Sequence, residues 1–387
     1  MKKNIFRVAC SYYPAKSMGG AVTADYELDK AIAKAGHHVE VFTTNAGLEE
    51  SNILGSKRFD GVHVNFFKYS LGRNISISFG LIISFIISIL RKRNECCVVF
   101  SGVWNIPNIV CPVFCRWIGI SYYMVPHGSL MSNVVNVRKS IIKKILYWLF
   151  VKRNIKNANG LHFTTQIEKE QSIDYIGYDP VCDVFPLGFN FEDFILPTDK
   201  DLSEFSTKYK VDSKFNIFFI GRINWKKGLD ILFQAINKVD AEWKLFCVGP
   251  DDENYSAILL ASLSQEMKKK VTFTGNLTGV ELACAYNLAD LFVLTSYSEN
   301  FGMSVVESSF YNKPSLITND VGVACYYEDG SNIILTETNS ISIKNKIEYI
   351  INNKDTLLFI GENARKNALS SFSVEHVSKK FLDMIRC

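Results

Sequence analysis

The chain has 387 residues, with 43 Lys and Arg against 39 Asp and Glu, and its formal net charge is +4. This length is too great for one ordinary hydrophobic core and predicts two domains, each large enough to bury most of its apolar surface. The near balance of charge and the lack of an RNA- or DNA-binding motif argue against a nucleic-acid partner.

The first elements in chain order predict a strand, a glycine turn, a helix and a second strand. Ile5 to Ser11 is an apolar run, Gly19 and Gly20 follow it, and a helical pattern ends before the run from Val39 to Thr43. Further apolar runs alternate with helical patterns, near 97–101, 121–125 and 160–164. This alternation predicts an α/β domain with a mostly parallel sheet that helices cover on both faces.

Two segments bear on membrane association. The apolar stretch 76–90 has fifteen residues, whereas a spanning helix needs about 20, so we expect a core helix packed on the sheet. The segment 137–156 carries seven cations among apolar and aromatic residues. It reads as a basic amphipathic helix, and two interpretations stay open: a core-facing helix with a solvated back, or an interfacial helix on anionic lipid.

Ten cysteines occur without a pair of CxxC units or a histidine partner at a zinc-finger spacing. Most lie in apolar runs, where a thiol behaves as a small hydrophobic group, so we expect no zinc site. The first residues lead directly into a strand without the apolar core of a signal peptide. We therefore expect a cytoplasmic protein with reduced thiols.

A polar stretch, 197–214, precedes a second alternation of strands and helices and reads as a linker, with a hinge near 186–214 as a hypothesis. The predicted strands lie near 216–220, 244–248, 271–274, 291–294 and 314–317. The predicted helices lie near 228–237, 254–269, 280–288 and 303–311. This pattern predicts a second doubly wound sheet, and ligands bind such sheets beyond the carboxyl ends of their strands.

Two loops of the second domain carry the chemistry. The first joins an apolar strand to Gly221, Arg222 and Lys227; the guanidinium offers a fork of donors and the ammonium a compact charge. Together these cations could neutralise a diphosphate leaving group. The cations therefore mark a phosphate site.

The second loop places Glu299 before a predicted helix and Glu307 inside it. A helix that begins near Gly302 or Met303 presents unpaired amides and the positive end of its dipole, which suit a diphosphate. Ionised carboxylates only accept hydrogen bonds, so the two glutamates suit the hydroxyls of a sugar and a ribose.

At this point the sequence resembles the GT-B glycosyltransferases, and within them the retaining glycosyltransferase family 4, also called glycosyl transferases group 1. The family's Glu-x7-Glu element falls on Glu299 and Glu307. Its Gly-Arg-x4-Lys-Gly element falls on Gly221, Arg222, Lys227 and Gly228, its glycine pair on Gly19 and Gly20, and its Pro-His-Gly turn on Pro126, His127 and Gly128.

The resemblance implies two Rossmann-like domains that face a central cleft. It assigns 1–195 to an acceptor-side domain, 196–370 to a donor domain, and 371–387 to a helix that crosses back onto the first domain. It also places His127 beside the transferred sugar and the amides of Gly19 and Gly20 near the diphosphate.

The resemblance further implies transfer from a nucleotide diphospho-sugar with retention and without a metal ion or another cofactor. We expect Arg222, Lys227, Glu299 and His127 to be catalytic. The donor-binding residues implied are Gly19, Gly20, Gly221, Arg222, Lys227, Asn300, Phe301, Gly302, Met303 and Glu307. Family frequency alone favours a uridine donor first and a guanosine donor second.

The expected acceptor is a saccharide hydroxyl, lipid-linked if 137–156 meets a membrane, in bacterial surface polysaccharide synthesis. The chain departs from the family pattern at 321–325 and 331–332, where glycines are usual, so the identity of the sugar does not follow. Two alternatives stay open: a nucleotide-sugar epimerase of the same fold, and a non-catalytic sugar-binding scaffold.

Overall fold

A computed structural model describes residues 2–48, 50–51, 53–70, 76–92, 96–132, 141–212, 214–251 and 253–385, with backbone only for 141–143. The chain divides into two compact units. Unit 1 comprises Met1–Phe189 and Ser373–Cys387, and unit 2 comprises Asn190–Phe372. The first boundary therefore lies six residues before the predicted one at 195, and the second lies two residues after 370.

Unit 1 contains an eight-stranded sheet. Its strands are β1 Asn4–Ala9, β2 His38–Thr44, β3 Gly55–Phe59, β4 Val62–Phe67, β5 Cys96–Ser101, β6 Tyr122–Val125, β7 Gly160–Phe163 and β8 Cys182–Val184. The spatial order is β3-β4-β2-β1-β5-β6-β7-β8, and only the edge pair β3–β4 is antiparallel among these neighbours. The predicted strands are present. Three strands were not predicted: β3 is polar and exposed, β8 has only three residues, and β4 alternates buried with partly exposed residues instead of forming an apolar run.

Helices cover both faces of this sheet. They are α1 Gly20–Lys34, α2 Phe79–Arg91, α3 Ile106–Ile118, α4 Ile141–Leu146, α5 Lys152–Lys156 and α6 Gln166–Ile176, and a π-helical turn, Tyr147–Val151, joins α4 to α5. The apolar sides of α2, α3 and the 141–156 segment enter one core cluster with the sheet, and α1 contributes to the cluster on the opposite face. Unit 1 is thus a three-layer α/β structure.

Unit 2 contains a six-stranded parallel sheet. Its strands are β9 Phe215–Ile220, β10 Trp243–Val248, β11 Val271–Gly275, β12 Leu291–Leu294, β13 Ser315–Thr318 and β14 Ile334–Thr336. Their order is β11-β10-β9-β12-β13-β14. The chain therefore winds outward in one direction from β9 and in the other from β12, which makes the β9–β12 pair the topological switch point.

The helices of unit 2 are α7 Asp199–Tyr209, α8 Leu229–Ile236, α9 Tyr255–Ala261, α10 Gln265–Lys268, α11 Gly279–Asn287, α12 Met303–Phe310, α13 Ser340–Asn352 and α14 Asp355–Ser371. The helix predicted over 254–269 is two helices, because the Ser264 side chain accepts a hydrogen bond from the Met267 amide and caps a new start. The predicted linker 197–214 is also largely helical: α7 begins with a capping box between Thr198 and Asp201.

The last helix, α15 (Val374–Met384), returns to unit 1 and packs against α1, as the resemblance implied. Ser373 pairs with Phe189 in a parallel bridge, and the Val374 amide donates to the Phe189 carbonyl over 2.9 Å. Val377 and Phe381 are then buried in the unit 1 core. The α15 helix is therefore part of the first domain's core.

The apolar segment predicted as a core helix is the helix α2, which packs one side on the sheet as expected. Phe79 and Ile83 on its other side are 71% and 58% exposed. Cys97 in β5 is disulfide-bonded, which differs from the expectation of reduced thiols. No helix among the described residues has the length and hydropathy needed to cross a bilayer.

Candidate functional site

The loop after β9 positions the predicted cations. The Gly221 amide donates to the Val248 carbonyl at the end of β10, and Arg222 beyond it is exposed. A 3-10 turn, Trp225–Lys227, then ends at Gly228, whose φ is +61°. A Cβ at position 228 would lie 2.0 Å from the Thr295 carbonyl oxygen. Glycine therefore allows the turn to pack directly against the end of β12.

This packing brings Lys227 and Glu299 together. The Tyr297 amide donates to the Lys226 carbonyl over 2.9 Å and ties the two loops to each other. The Lys227 ammonium then forms a short ion pair with the Glu299 carboxylate, and the two side chains are only 19% and 23% exposed. The structure thus joins two residues that the sequence assigned to separate ligand groups, 72 positions apart.

The loop from Glu299 to Gly302 is held in place by the segment that follows β13. The Glu299 amide donates to the Asp320 carbonyl over 3.1 Å, and its carbonyl accepts from the Gly322 amide over 2.9 Å. Phe301 is buried, Asn300 is partly exposed, and Gly302 has a φ of +95° where α12 starts. The unusual segment 321–325 thus supports this loop, and the amides of Met303 and its successors open α12 beside Glu299.

Glu307 lies on α12 and contacts a residue that the sequence reading missed. The Tyr286 hydroxyl on α11 donates to Glu307 Oε2 over 2.5 Å. Burial raises the pKa of Glu307, and the hydrogen bond from Tyr286 offsets part of that effect. The hydroxyl fixes one carboxylate oxygen, and an ionised carboxylate keeps acceptor sites for a further donor.

Both loops leave the sheet at the switch point. The strands β9 and β12 are parallel neighbours, paired from Ile217 with Leu291 to Phe218 with Phe292. The loop with Arg222 and Lys227 follows the carboxyl end of β9, and the loop with Glu299 follows that of β12. This is the position at which open α/β sheets bind nucleotides.

In unit 1, the glycine pair lies at the equivalent place after β1. Gly19 has a φ of +118° and precedes α1, which begins at the exposed Gly20. The order of the sheet reverses between β1 and β5, so the first turn of α1 opens at the switch point of unit 1. Its amides can bind an anion there.

His127 follows β6 in a backbone conformation that is rare for a non-glycine residue, with a φ of +51°. Its Nε2 lies 3.3 Å from the Asp25 carboxylate on α1, and its side chain is 12% exposed. Burial alone would lower the pKa of His127, but the charge of Asp25 and the hydrogen bond to it raise that pKa above its ordinary value.

Asp25 belongs to a buried charged network. Arg7 in β1 donates from Nε and Nη2 to both oxygens of Asp29 over 2.6 and 2.7 Å, and from Nη1 to Asp25 over 3.1 Å and to Ser101 over 2.7 Å. Burial opposes ionisation of Asp25, yet Arg7 and then His127 lower the pKa of that carboxyl well below its usual range. The sequence signal was available: a lone Arg in an apolar strand, and two acids four apart on a helix.

Another residue that was not predicted, Glu168, supports the turn at His127 from the other side. Glu168 is fully buried, and its carboxylate accepts from the Gly128 amide over 2.5 Å and from the amide and hydroxyl of Thr164. These contacts fix the backbone of the Pro126–Gly128 turn. Within the described ranges, no group of three or more His, Cys, Asp or Glu side chains is placed to hold a metal ion.

Comparison with known proteins gives a family match for residues 202–367, to the model described as Glycosyl transferases group 1. An uncharacterised glycosyltransferase of Methanocaldococcus jannaschii is 31% identical over 156 residues, 40% of this chain and 43% of that protein. A probable sucrose-phosphate synthase of Thermosipho melanesiensis is 25% identical over 241 residues, 60% of this chain and 55% of that protein. The chain spans about half the length of the curated relatives it matches.

Solved structures match the whole chain at low identity. Anabaena HepE in complex with UDP and glucose superposes with a TM-score of 0.75 and 19% identity, over 99% of both chains. WaaG, a glycosyltransferase involved in lipopolysaccharide biosynthesis, superposes with a TM-score of 0.71 and 16% identity, also over 99% of both. The two units thus have the GT-B fold, and residues 202–367 match the family model described as Glycosyl transferases group 1.

Proposed function

We propose that this chain is a retaining glycosyltransferase of family 4 that transfers a sugar from a nucleotide diphospho-sugar to a saccharide hydroxyl. The observation that carries the proposal is the Lys227–Glu299 ion pair, which lies beside the amino end of α12 at the β9–β12 switch point. Arg222 is exposed at the same edge of the sheet. Cations, a carboxylate and helix amides at one edge suit a sugar diphosphate.

The cations would serve the departing diphosphate. As the bond from the anomeric carbon to the phosphate oxygen breaks, its electron pair goes to that oxygen, and Arg222 and Lys227 stabilise the new charge. The acceptor oxygen attacks from the same face and passes its proton to the departing phosphate. These cations and the amides of α12 supply positive charge that a metal ion would otherwise provide, so we propose metal-independent transfer.

A covalent intermediate on Glu299 is disfavoured by its ion pair. Double displacement needs a free carboxylate nucleophile within about 5 Å of a second carboxyl group across the scissile bond. Glu299 is already paired with Lys227, and Glu307 accepts a hydrogen bond from Tyr286. We therefore assign Glu299 to the hydroxyls of the transferred sugar and Glu307 to the ribose.

The similar proteins favour one class of donor and one class of acceptor. HepE was solved with UDP and glucose, and this favours a uridine donor, with guanosine as the second choice. WaaG acts in lipopolysaccharide biosynthesis, which favours a lipid-linked saccharide acceptor in surface polysaccharide synthesis at the inner face of the cytoplasmic membrane. The sucrose-phosphate synthase relative makes a small phosphorylated sugar the competing acceptor class.

Titration calorimetry with a panel of nucleoside diphosphates and nucleotide sugars, in the presence of EDTA, tests the donor assignment. We expect selective binding of one base and no loss of affinity with the chelator. Incubation of the preferred nucleotide sugar without acceptor provides the second test, because an epimeric product would make the chain an epimerase. Failure to bind any member of the panel would leave a scaffold as the function.

A further inference from the structure

The helix α2 is apolar on both sides, although only one side faces the core. Leu81, Phe85 and Ile89 are fully buried against the sheet. On the opposite side, a stripe with a spacing of three or four residues is exposed to solvent: Phe79 at 71%, Ile83 at 58%, Ile87 at 44% and Leu90 at 52%. A surface helix normally places charged or polar residues there, so this stripe needs a partner.

Neighbouring helices extend this apolar surface. The α3 helix packs against α2 and carries Trp117, which is 78% exposed. The 141–156 segment packs in turn against α3 and exposes four large apolar residues, Ile145, Trp148, Leu149 and Phe150, by 52%, 69%, 61% and 39%. All three elements use their other sides for one core cluster. We call the outer side of α2, α3 and 141–156 the three-helix face.

The part of the chain that contains the three-helix face is strongly positive. Between positions 61 and 167 the chain has thirteen Lys and Arg and one acidic residue, Glu95, whereas the rest of the chain has 30 cations and 38 acids. The net charge of +4 hides this asymmetry. Lys152 lies 4.5 Å from the centre of the Trp148 ring, and Lys144 and Arg153 are exposed on the same segment. Lys92 is partly neutralised by Glu40, whose carboxylate lies 3.9 Å from the Lys92 ammonium. Lys92 therefore contributes less to the positive charge.

From this combination we propose that the three-helix face docks on an anionic lipid bilayer. Exposed aliphatic side chains and tryptophans flanked by Lys and Arg are the groups that insert at the boundary between headgroups and acyl chains. The thirteen residues of α2 would span only about 20 Å, against roughly 30 Å of hydrocarbon. The helix therefore lies on the surface and does not cross it. This docking is independent of the donor chemistry.

Protein partners fit the surface less well. The core of a protein interface is depleted of lysine, while this face combines its apolar stripe with a one-signed charge and no neutralising acids in α2, α3 or 141–156. A second copy of the chain would bring the same face, with its exposed cations Lys144 and Arg153, against the first. The repulsion opposes self-association through this face.

Vesicle co-sedimentation tests the docking with the full chain. We expect binding to phosphatidylcholine vesicles that contain phosphatidylglycerol and weak binding to phosphatidylcholine alone. Ile83→Glu with Ile87→Glu should lower the partition coefficient at least about tenfold, because two apolar side chains that insert into the bilayer would become charged. The matched control is Ile341→Glu with Leu358→Glu in unit 2, which are 68% and 77% exposed and should leave the partition unchanged.

A charge variant separates the electrostatic contribution. Lys144→Glu with Arg153→Glu should abolish the preference for anionic vesicles, whereas Lys238→Glu with Lys366→Glu in unit 2 should not; all four side chains are exposed. Nucleoside diphosphate binding should be unchanged in every variant, which shows that each is folded. Equal vesicle binding by the Ile83/Ile87 variant and wild type would overturn the proposal. So would a wild-type dimer that this variant converts to monomer in vesicle-free solution, because the face would then be a self-association surface.

Discussion

At the scale of single residues, the predicted site is set by side chains that pair with one another. Lys227 is bound to Glu299 and Glu307 to Tyr286, while Arg222 is exposed at the end of its strand. Of the two cations assigned to the site, Arg222 has no hydrogen bond or ion pair from its side chain to the described part of the protein, so it can contact a ligand without first leaving a partner. Removing the Arg222 side chain should therefore slow the step in which negative charge develops on the leaving group.

We expect Arg222→Ala to lower kcat by about 10²-fold or more, since a positioned charge that stabilises a leaving group acts mainly in the transition state. The nearby exposed Lys226, whose ammonium lies over the Trp225 ring, provides a matched control. Lys226→Ala should keep kcat within about twofold of wild type. Steady-state kinetics with the identified donor measures both variants. Equal losses of kcat in the two variants would mean that Arg222 acts only as one of several surface charges and does not stabilise the leaving group.

His127 offers a second prediction, on pH. Because its pKa is raised in the folded protein by Asp25, its contribution to stability is fully present below the ordinary histidine value of about 6.5 and is lost as the pH rises through the folded value. Asp25→Asn should lower the pKa of His127, and the stability deficit of this variant should be larger at acidic than at alkaline pH.

The ring protons of the six histidines report this by NMR titration, with His127→Gln to identify the signal. Urea unfolding at acidic and alkaline pH measures the stability of Asp25→Asn against wild type. An unchanged His127 pKa in Asp25→Asn would show that Asp25 does not hold the proton on the imidazole.

At the scale of elements, glycines at the strand ends decide how closely the site loops approach. Gly228 has a φ of +61° and its missing Cβ makes room for the Thr295 carbonyl. Gly302 has a φ of +95°, and a Cβ there would lie 2.8 Å from Val321. At both positions, a positive φ and a close neighbouring atom favour glycine, and both loops need glycine to keep their observed conformation.

We expect Gly228→Ala to destabilise unit 2 by clearly more than the roughly 1–2 kcal/mol of a left-handed non-glycine residue, because its Cβ would also meet a backbone oxygen at 2.0 Å. Gly275→Ala is the matched control, since Gly275 has a φ of +77° and no heavy atom within 4 Å of its Cβ position. Chemical denaturation measures both. Similar losses in the two variants would mean that the loop can move away from β12.

The same elements show what a sequence can and cannot predict. Fully buried strands such as β9 and β12 are predicted because their apolar runs stand between turns and helical patterns. The exposed edge strand β3 lacks that signal. Motif residues such as Lys227 and Glu299 are recognised by spacing, but the Tyr286–Glu307 and Glu168–Gly128 contacts join elements whose proximity depends on packing. Likewise, the apolar stretch of α2 gives no indication of which side stays exposed.

At the scale of the whole molecule, the large cavity in unit 2 is not at the switch point. A cavity of about 840 Å³ lies between β14, α13 and α14, with Asp329, Lys346 and Tyr349 among its lining residues. It is lined by apolar and polar groups but lacks the pairing of cations with helix amides found at the end of β9. The groups that suit a diphosphate therefore lie at the ends of β9 and β12 and not in this cavity, and we expect the nucleotide at those strand ends.

Hydrogen–deuterium exchange with a bound nucleoside diphosphate discriminates between these places. We expect slower exchange in peptides that cover 221–228 and 297–305, where the amides and cations lie, and unchanged exchange over α13. The Arg222→Ala variant at the same nucleotide concentration serves as the control and should lose most of this protection. Protection confined to the walls of the cavity would move the nucleotide site there.

The return of α15 to unit 1 has a consequence for synthesis of the chain on the ribosome. Phe381 and Ile385 fill part of the core on the α1 side of unit 1, and they are made after all of unit 2. Unit 2 spans a continuous stretch from Asn190 to Phe372. All of its core residues are therefore synthesised before the last core residues of unit 1. The domain that is translated first is therefore completed last, and until residue 385 emerges it must wait with an open apolar face that a chaperone could bind.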